Sequence, residues 1–179
     1  MHDVIAGAGD DVVFGGADVD TIFGDAGNDN ISGEAGNDKI AAGAGRDIIN
    51  GGPGDDLITG DAGIDIINGD AGNDNLSGGD DTDLVLGLAG DDVVNGDAGD
   101  DILAGGDVWD TGASGSDTAL DVLDGGTDDV KGDDCYVMAA GTTTNCESVN
   151  PAAVAALRAA TAKIEFLNET RVARAAAIR

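Results

Sequence analysis

Every ninth residue from position 11 to position 101 is an aspartate: Asp11, Asp20, Asp29, Asp38, Asp47, Asp56, Asp65, Asp74, Asp83, Asp92 and Asp101. Each follows a glycine-rich stretch and precedes an aliphatic residue by two positions. No Ser-His-Asp set or Cys-His pair accompanies them. The only histidine is His2, and the two cysteines, Cys135 and Cys146, lie far downstream. Carboxylates alone do not assemble a nucleophilic site, which needs an activating base beside the nucleophile. Acid pairs such as Asp55-Asp56 recur as part of the period, so they give a glycosidase no support. There is no phosphate-binding loop and no basic stripe. The chemistry that remains is ligation of a hard cation, for which carboxylates and backbone carbonyls are the natural oxygen donors.

The elements that position these aspartates follow from a nine-residue unit that runs without a slip from Ala6 to Ala104. Each unit reads Gly, variable, variable, Gly, variable, Asp, then three residues with an aliphatic centre. Those centres are Val13, Ile22, Ile31, Ile40, Ile49, Ile58, Ile67, Leu76, Val85, Val94 and Leu103. Glycine at the first and fourth positions predicts a turn with positive φ at both. The last three residues predict a short strand whose centre points inward and whose neighbours point outward. Two units then make one 18-residue coil, and stacked coils give two parallel sheets back to back around an aliphatic column. A strict short period of this kind specifies a solenoid. Asp18 and Asp81 replace the fourth-position glycine, so altered turns are expected there.

Stretches such as GDAGNDNIS (24–32), GGPGDDLIT (51–59) and GDAGNDNLS (69–77) resemble the GGxGxDxUx nonapeptide of RTX, or haemolysin-type, calcium-binding proteins. The resemblance holds in register over residues 6–104, and a looser form reaches about Val137. It implies a parallel β-roll with Ca²⁺ in the turns between neighbouring coils, and it implies that catalysis, where such proteins have it, resides in other domains. The fold expected is thus an all-β parallel β-roll, a two-sheet solenoid of 18 residues per coil, followed by a C-terminal α-helix.

Stacking explains why the aspartates need a cation. Coils repeat at about 4.8 Å, so aspartates 18 apart stand above one another. One column is Asp11, Asp29, Asp47, Asp65, Asp83 and Asp101. The other is Asp20, Asp38, Asp56, Asp74 and Asp92, with Asp110 as an extra member. Unshielded carboxylates at that spacing repel by roughly 3–4 kcal/mol per pair at an effective dielectric near 20. A divalent ion in each gap removes the conflict. Ca²⁺ accepts six to eight oxygens at flexible angles, whereas Mg²⁺ demands an octahedron and Zn²⁺ prefers His or Cys. The expected ligands are the column aspartates and turn glycines Gly24, Gly27, Gly33, Gly36, Gly51, Gly54, Gly60, Gly63, Gly69 and Gly72. The gaps number about nine, or ten with Asp110. The acidic second-position residues Asp25, Glu34, Asp61, Asp70 and Asp97 are expected to attract ions at long range rather than to bind them.

The net charge of −28 fits this reading. Residues 151–179 hold five of the eight basic residues against two acids, which leaves −31 on residues 1–150. Such a charge repels nucleic acid and anionic membranes. About nine Ca²⁺ ions would bring the total to about −10. One aliphatic per nine residues is a thin core set against the entropy of ordering the chain. Residues 6–137 are therefore expected to fold only on binding Ca²⁺.

The period breaks after Asp110. We divide the chain into a roll at 6–110, irregular capping coils at 111–149 and a basic amphipathic helix at 150–179. Trp109 and Tyr136 are expected to cover exposed apolar ends. A Cys135–Cys146 disulfide would close the cap and imply an oxidising destination; two free thiols are the alternative. Asn150 and Pro151 form a helix start, and Val154, Leu157, Ile164 and Leu167 then share one face. A second apolar surface is the outward seventh-position stripe of Ile48, Ile66, Leu84 and Ile102. Either surface could hold a protein partner or a second copy.

The sequence opens directly in the repeat, without a signal-peptide pattern. Either residues precede Met1 or export uses another signal. Three non-enzymatic roles follow. The first is a calcium-binding structural or adhesive module displayed outside the cell or on a virion surface, with the C-terminal helix mediating attachment or assembly. The second is the secretion portion of a larger type-one-secreted protein, a route whose RTX members mostly avoid cysteine. The third is a decoration or appendage subunit of a particle such as a phage virion.

Overall fold

The computed structural model describes residues 1–105 and, beyond them, the backbone of three short strands at 122–124, 134–136 and 142–144. Trp109, Asp110, Cys146 and the helix expected at 150–179 lie outside the described residues, as does the side chain of Cys135.

The first sheet consists of β1 (Asp3–Ala8), β3 (Thr21–Ala26), β5 (Lys39–Ala44), β7 (Leu57–Ala62), β9 (Asn75–Asp80), β11 (Val93–Ala98), β13 (Val122–Asp124) and β15 (Thr142–Thr144), in that order. The second consists of β2 (Val12–Gly16), β4 (Asn30–Glu34), β6 (Ile48–Pro53), β8 (Ile66–Ala71), β10 (Leu84–Ala89), β12 (Ile102–Ala104) and β14 (Asp134–Tyr136). All pairings are parallel and join residues 18 apart through residue 104, as in Ile22 with Ile40 and Ile49 with Ile67. This is the two-sheet β-solenoid with 18 residues per coil that the period predicts. Among the described residues there is no helix, and none is long and apolar enough to cross a membrane.

The eighth-position aliphatics make the core. Ile22, Ile49, Ile58, Ile67, Leu76, Val85, Val94 and Leu103 are fully buried, and a single cluster runs from Val13 to Leu103. Strand alternation does this: the residue between two outward neighbours faces the opposite sheet. The outward faces differ. On the second sheet Val12 and Phe14 are exposed at the N-terminal end, whereas Leu84, Leu86 and Ala104 are buried outside the central cluster.

Three expectations need correction. The strands are mostly five or six residues long rather than three, because the ladder resumes after the first-position glycine: Gly7 pairs with Asp25, and Ala8 with Ala26. Positive φ falls on the second and fourth positions, not the first and fourth. Gly43 (φ 106°) and Gly52 (φ 103°) show it at the second position, and so do Asp25, Glu34, Asp61, Asp70, Leu88 and Asp97. The first-position glycine is needed for another reason, close approach. Finally, the roll starts before Ala6. Asp3, Val4 and Ile5 pair with Thr21, Ile22 and Phe23, so β1 is already a repeat strand.

Candidate metal centre

The turn between each glycine pair and its strand brings the aspartates inward. Ten of the eleven column members, all but the partly exposed Asp11, are at most 3% accessible to solvent. Acidic side chains rarely reach that depth unless they are paired. Here the pairing accounts for one oxygen only. The backbone N–H of each column Asp from Asp11 to Asp83 donates to Oδ1 of the Asp one coil further on. Asp11 N–H meets Asp29 Oδ1 at 2.8 Å, Asp29 N–H meets Asp47 at 2.7 Å, and the series continues through Asp65, Asp83 and Asp101. The second column repeats it from Asp20 to Asp92. The backbone carbonyl of each Asp is also engaged, accepting the N–H that follows the next Asp, as Lys39 N–H does to Asp20 at 2.9 Å.

In eight of these aspartates the other carboxylate oxygen has no hydrogen-bond partner. Oδ2 of Asp20, Asp29, Asp38, Asp47, Asp56, Asp65, Asp74 and Asp83 is buried without a hydrogen bond. A buried anionic oxygen in this state is strongly disfavoured unless a cation meets it. Except for Asp47, whose unit begins with Ala42, each of these Oδ2 atoms lies beside the first-position glycine of its own unit, alongside a backbone carbonyl from the next coil. A Cβ on Gly24 would stand 2.6 Å from Asp29 Oδ2 and collide with the Ala42 carbonyl. Gly33, Gly51, Gly60, Gly69 and Gly78 repeat the arrangement with Asp38, Asp56, Asp65, Asp74 and Asp83 and with the carbonyls of Gly51, Gly69, Gly78, Gly87 and Gly96. Fourth-position carbonyls also lie between coils. Those of Gly27, Gly36, Gly54 and Gly72 abut Gly45, Gly54, Gly72 and Gly90. Among the described residues no three His, Cys, Asp or Glu side chains converge on one point. A cation here must therefore draw on backbone oxygens as well, which suits Ca²⁺ and disfavours Zn²⁺. Residues present and group implied fit.

Burial raises the carboxyl groups above their ordinary range. It pushes Asp56 and Asp65 up to about 7, Asp74 to about 6 and Asp83 to about 8. The N–H bond from the preceding coil opposes the rise, and stacked carboxylates add to it for Asp56, Asp65 and Asp83. Asp38 and Asp47 are raised for the same first reason, burial. With no cation Asp56, Asp65 and Asp83 would carry protons near neutrality, and a cation would displace them.

A family model for the RTX calcium-binding nonapeptide repeat (4 copies) matches residues 3–31, 23–58, 50–85, 59–94 and 77–108. The chain belongs to the RTX calcium-binding repeat family. The match begins at Asp3, as the β-roll does, and its repeats carry Ca²⁺ binding as their shared property. No curated protein matches the chain.

Two features of the RTX roll escape the repeat signature. His2 occupies the sixth-position place of an incomplete unit, and its N–H donates to Asp20 Oδ1 at 2.6 Å. Spacing could have found it, since 2 and 20 differ by one coil, but an aspartate search does not. The fifth-position side chains also link coils, through bonds such as Asn28 N–H to Asp10 Oδ1 at 2.8 Å. That bond holds the Asp10 carboxyl below its ordinary range.

Proposed function

We propose that this RTX β-roll is a non-catalytic structural or adhesive module that folds when Ca²⁺ fills the gaps between its stacked aspartates, and that it is displayed outside the cell. The buried, unpartnered Oδ2 atoms of eight column aspartates carry this reading. Nine neighbouring Asp pairs are linked through Oδ1, so the gaps they define support about nine ions. The column aspartates and the first- and fourth-position glycine carbonyls would supply the ligands. Bound there, Ca²⁺ would supply the positive charge that no described side chain brings to these Oδ2 atoms. The protein's own part is to space the carboxylates, remove water from them and fix Oδ1 through the backbone.

Extracellular display follows from the chemistry of supply. Extracellular calcium modules work at about 10⁻⁴–10⁻³ M Ca²⁺. A chain carrying −31 over residues 1–150 and a one-residue-thick core stays open in its absence and closes on meeting that supply. The partly exposed Ile48, Ile66 and Ile102 of the second sheet and the basic sequence segment 150–179 are the candidates for attachment or assembly; Leu84, expected in the same stripe, is buried. The test is a far-UV circular dichroism titration of the full chain with Ca²⁺, Mg²⁺ and EGTA. The proposal expects β-structure to appear with Ca²⁺, to vanish with EGTA and to form weakly or not at all with Mg²⁺. A spectrum indifferent to EGTA rejects it.

A further inference from the structure

Beside each metal-column aspartate stands the fifth-position residue, and it builds a different ladder. On one turn Asn28 donates to Asp10 Oδ1 through its N–H at 2.8 Å and its Nδ2 at 3.0 Å, and Arg46 N–H donates to Asn28 Oδ1 at 3.1 Å. On the other turn Asp55 N–H meets Asn37 Oδ1 at 3.2 Å, Asn73 N–H meets Asp55 Oδ1 at 2.9 Å, and Asp91 N–H meets Asn73 Oδ1 at 2.9 Å. The direction is opposite to that of the aspartate columns. There a side chain accepts from the coil before it; here it accepts from the coil after it. Adjacent coils are thus tied both ways at neighbouring residues.

Composition separates the two ladders. The second-turn column reads Val19, Asn37, Asp55, Asn73, Asp91, so amide and carboxylate alternate. The first-turn column reads Asp10, Asn28, Arg46, Ile64, Thr82, Asp100, again with no two acids adjacent. The second-position columns follow the same rule, as in Gly7, Asp25, Gly43, Asp61, Gly79, Asp97. Between residues 6 and 104, carboxylates stand directly over one another only at the sixth position. An exposed column of stacked carboxylates without a cation would repel along its length. An amide keeps the acceptor oxygen and removes the charge.

We infer that Asn37, Asp55, Asn73 and Asp91 form a metal-independent register ladder, and that their alternation of amide and carboxylate is what lets it stand without a cation. This inference does not depend on which ion fills the sixth-position columns. The test uses the full chain at saturating Ca²⁺ and compares melting temperatures at low and high ionic strength. Asn73→Asp puts three carboxylates in succession at 55, 73 and 91. It is expected to lower the melting temperature by roughly 4–8 °C at low salt, with most of the loss recovered at high salt. Asn73→Ala removes the acceptor and lowers it at both salts. Asp55→Asn leaves an all-amide run and causes no loss. The triple variant D55N/N73D/D91N shifts the alternation by one coil and restores the melting temperature toward that of the unaltered chain. If N73D melts like the unaltered chain at every ionic strength, if N73A causes no loss, or if the triple variant melts as low as N73D, the inference is overturned.

Discussion

Asp56 sits mid-column, so its replacement by Asn gives a sharp quantitative expectation. Its Oδ1 accepts the Asp38 N–H at 2.7 Å, and its own N–H donates to Asp74 Oδ1 at 2.8 Å. Asn keeps an acceptor at Oδ1, so the backbone ladder survives. What changes is the buried Oδ2, which loses its charge and becomes a donor aimed at a cation. Asp56 borders two gaps, one with Asp38 and one with Asp74, so two ions should be lost. Breaking a buried charge pair costs about 3–5 kcal/mol. Spread over about nine cooperatively bound ions, that is about 0.3–0.6 kcal/mol per ion, so the calcium midpoint of folding shifts only about two- to threefold. The sharper readout is the ion count, by native mass spectrometry on the folded variant. Asp11→Asn is the internal control: Asp11 ends its column, borders one gap and is partly exposed, so one ion should be lost. Equal ion counts for D56N, D11N and the unaltered chain would refute the reasoning, as would equal losses for the two variants.

Further expectations follow from the same geometry. Gly69→Ala drives a methyl toward Asp74 Oδ2 and the Gly87 carbonyl; Ala42 is already tolerated at the equivalent position of the Asp47 unit, so overpacking costs about 1 kcal/mol and weakens calcium binding, read by melting and titration together. Leu88 holds φ at 75°, so Leu88→Gly should stabilise the calcium-loaded roll by about 1 kcal/mol in denaturant unfolding. For acidity the sign is set by the raised carboxyls. Asp56, Asp65, Asp74 and Asp83 go from an ordinary 3.8 to about 7, 7, 6 and 8 in the fold, so the ion-free roll binds more protons than the unfolded chain. That stabilisation is fully present below about pH 4 and is lost as pH rises through about 6–8. In EGTA, acidification from neutral pH should therefore increase β-structure, whereas in limiting Ca²⁺ it should release ions; circular dichroism across pH in both media checks the pair. Ile48→Lys with Ile66→Lys should change the solution mass in Ca²⁺ if the second sheet's outward face serves assembly, and an unchanged mass counts against that use.

Much of the roll is legible because its period is strict. The 18-residue spacing places Ile22 beside Ile40 and Asp29 beside Asp47, and both registers hold in the structure. Burial of the aspartates also follows, since the turn that carries them folds against the strand that buries Ile or Leu two residues later. Other features leave no mark in residue types. The second position takes Gly, Asp, Glu or Leu, yet all share positive φ, because backbone stacking rather than side-chain preference imposes it. The division of labour between Oδ1 and Oδ2 is a matter of a few ångströms and cannot be read from a letter. The strict period is counted only from Ala6, although the sequence opens in the repeat, because His2 stands where the pattern has Asp. The fifth position, read as variable, holds an excess of Asn and Asp, but the ladder and its direction required the hydrogen bonds.

The central claim is that the buried aspartate columns are filled by Ca²⁺ and that the fold depends on it. Native mass spectrometry of the full chain, coupled to circular dichroism on the same samples, tests this most directly. The account predicts about nine bound Ca²⁺ ions in the β-rich form and none in an unfolded form in EGTA. A β-rich chain that binds no Ca²⁺, or only one or two ions, would contradict it.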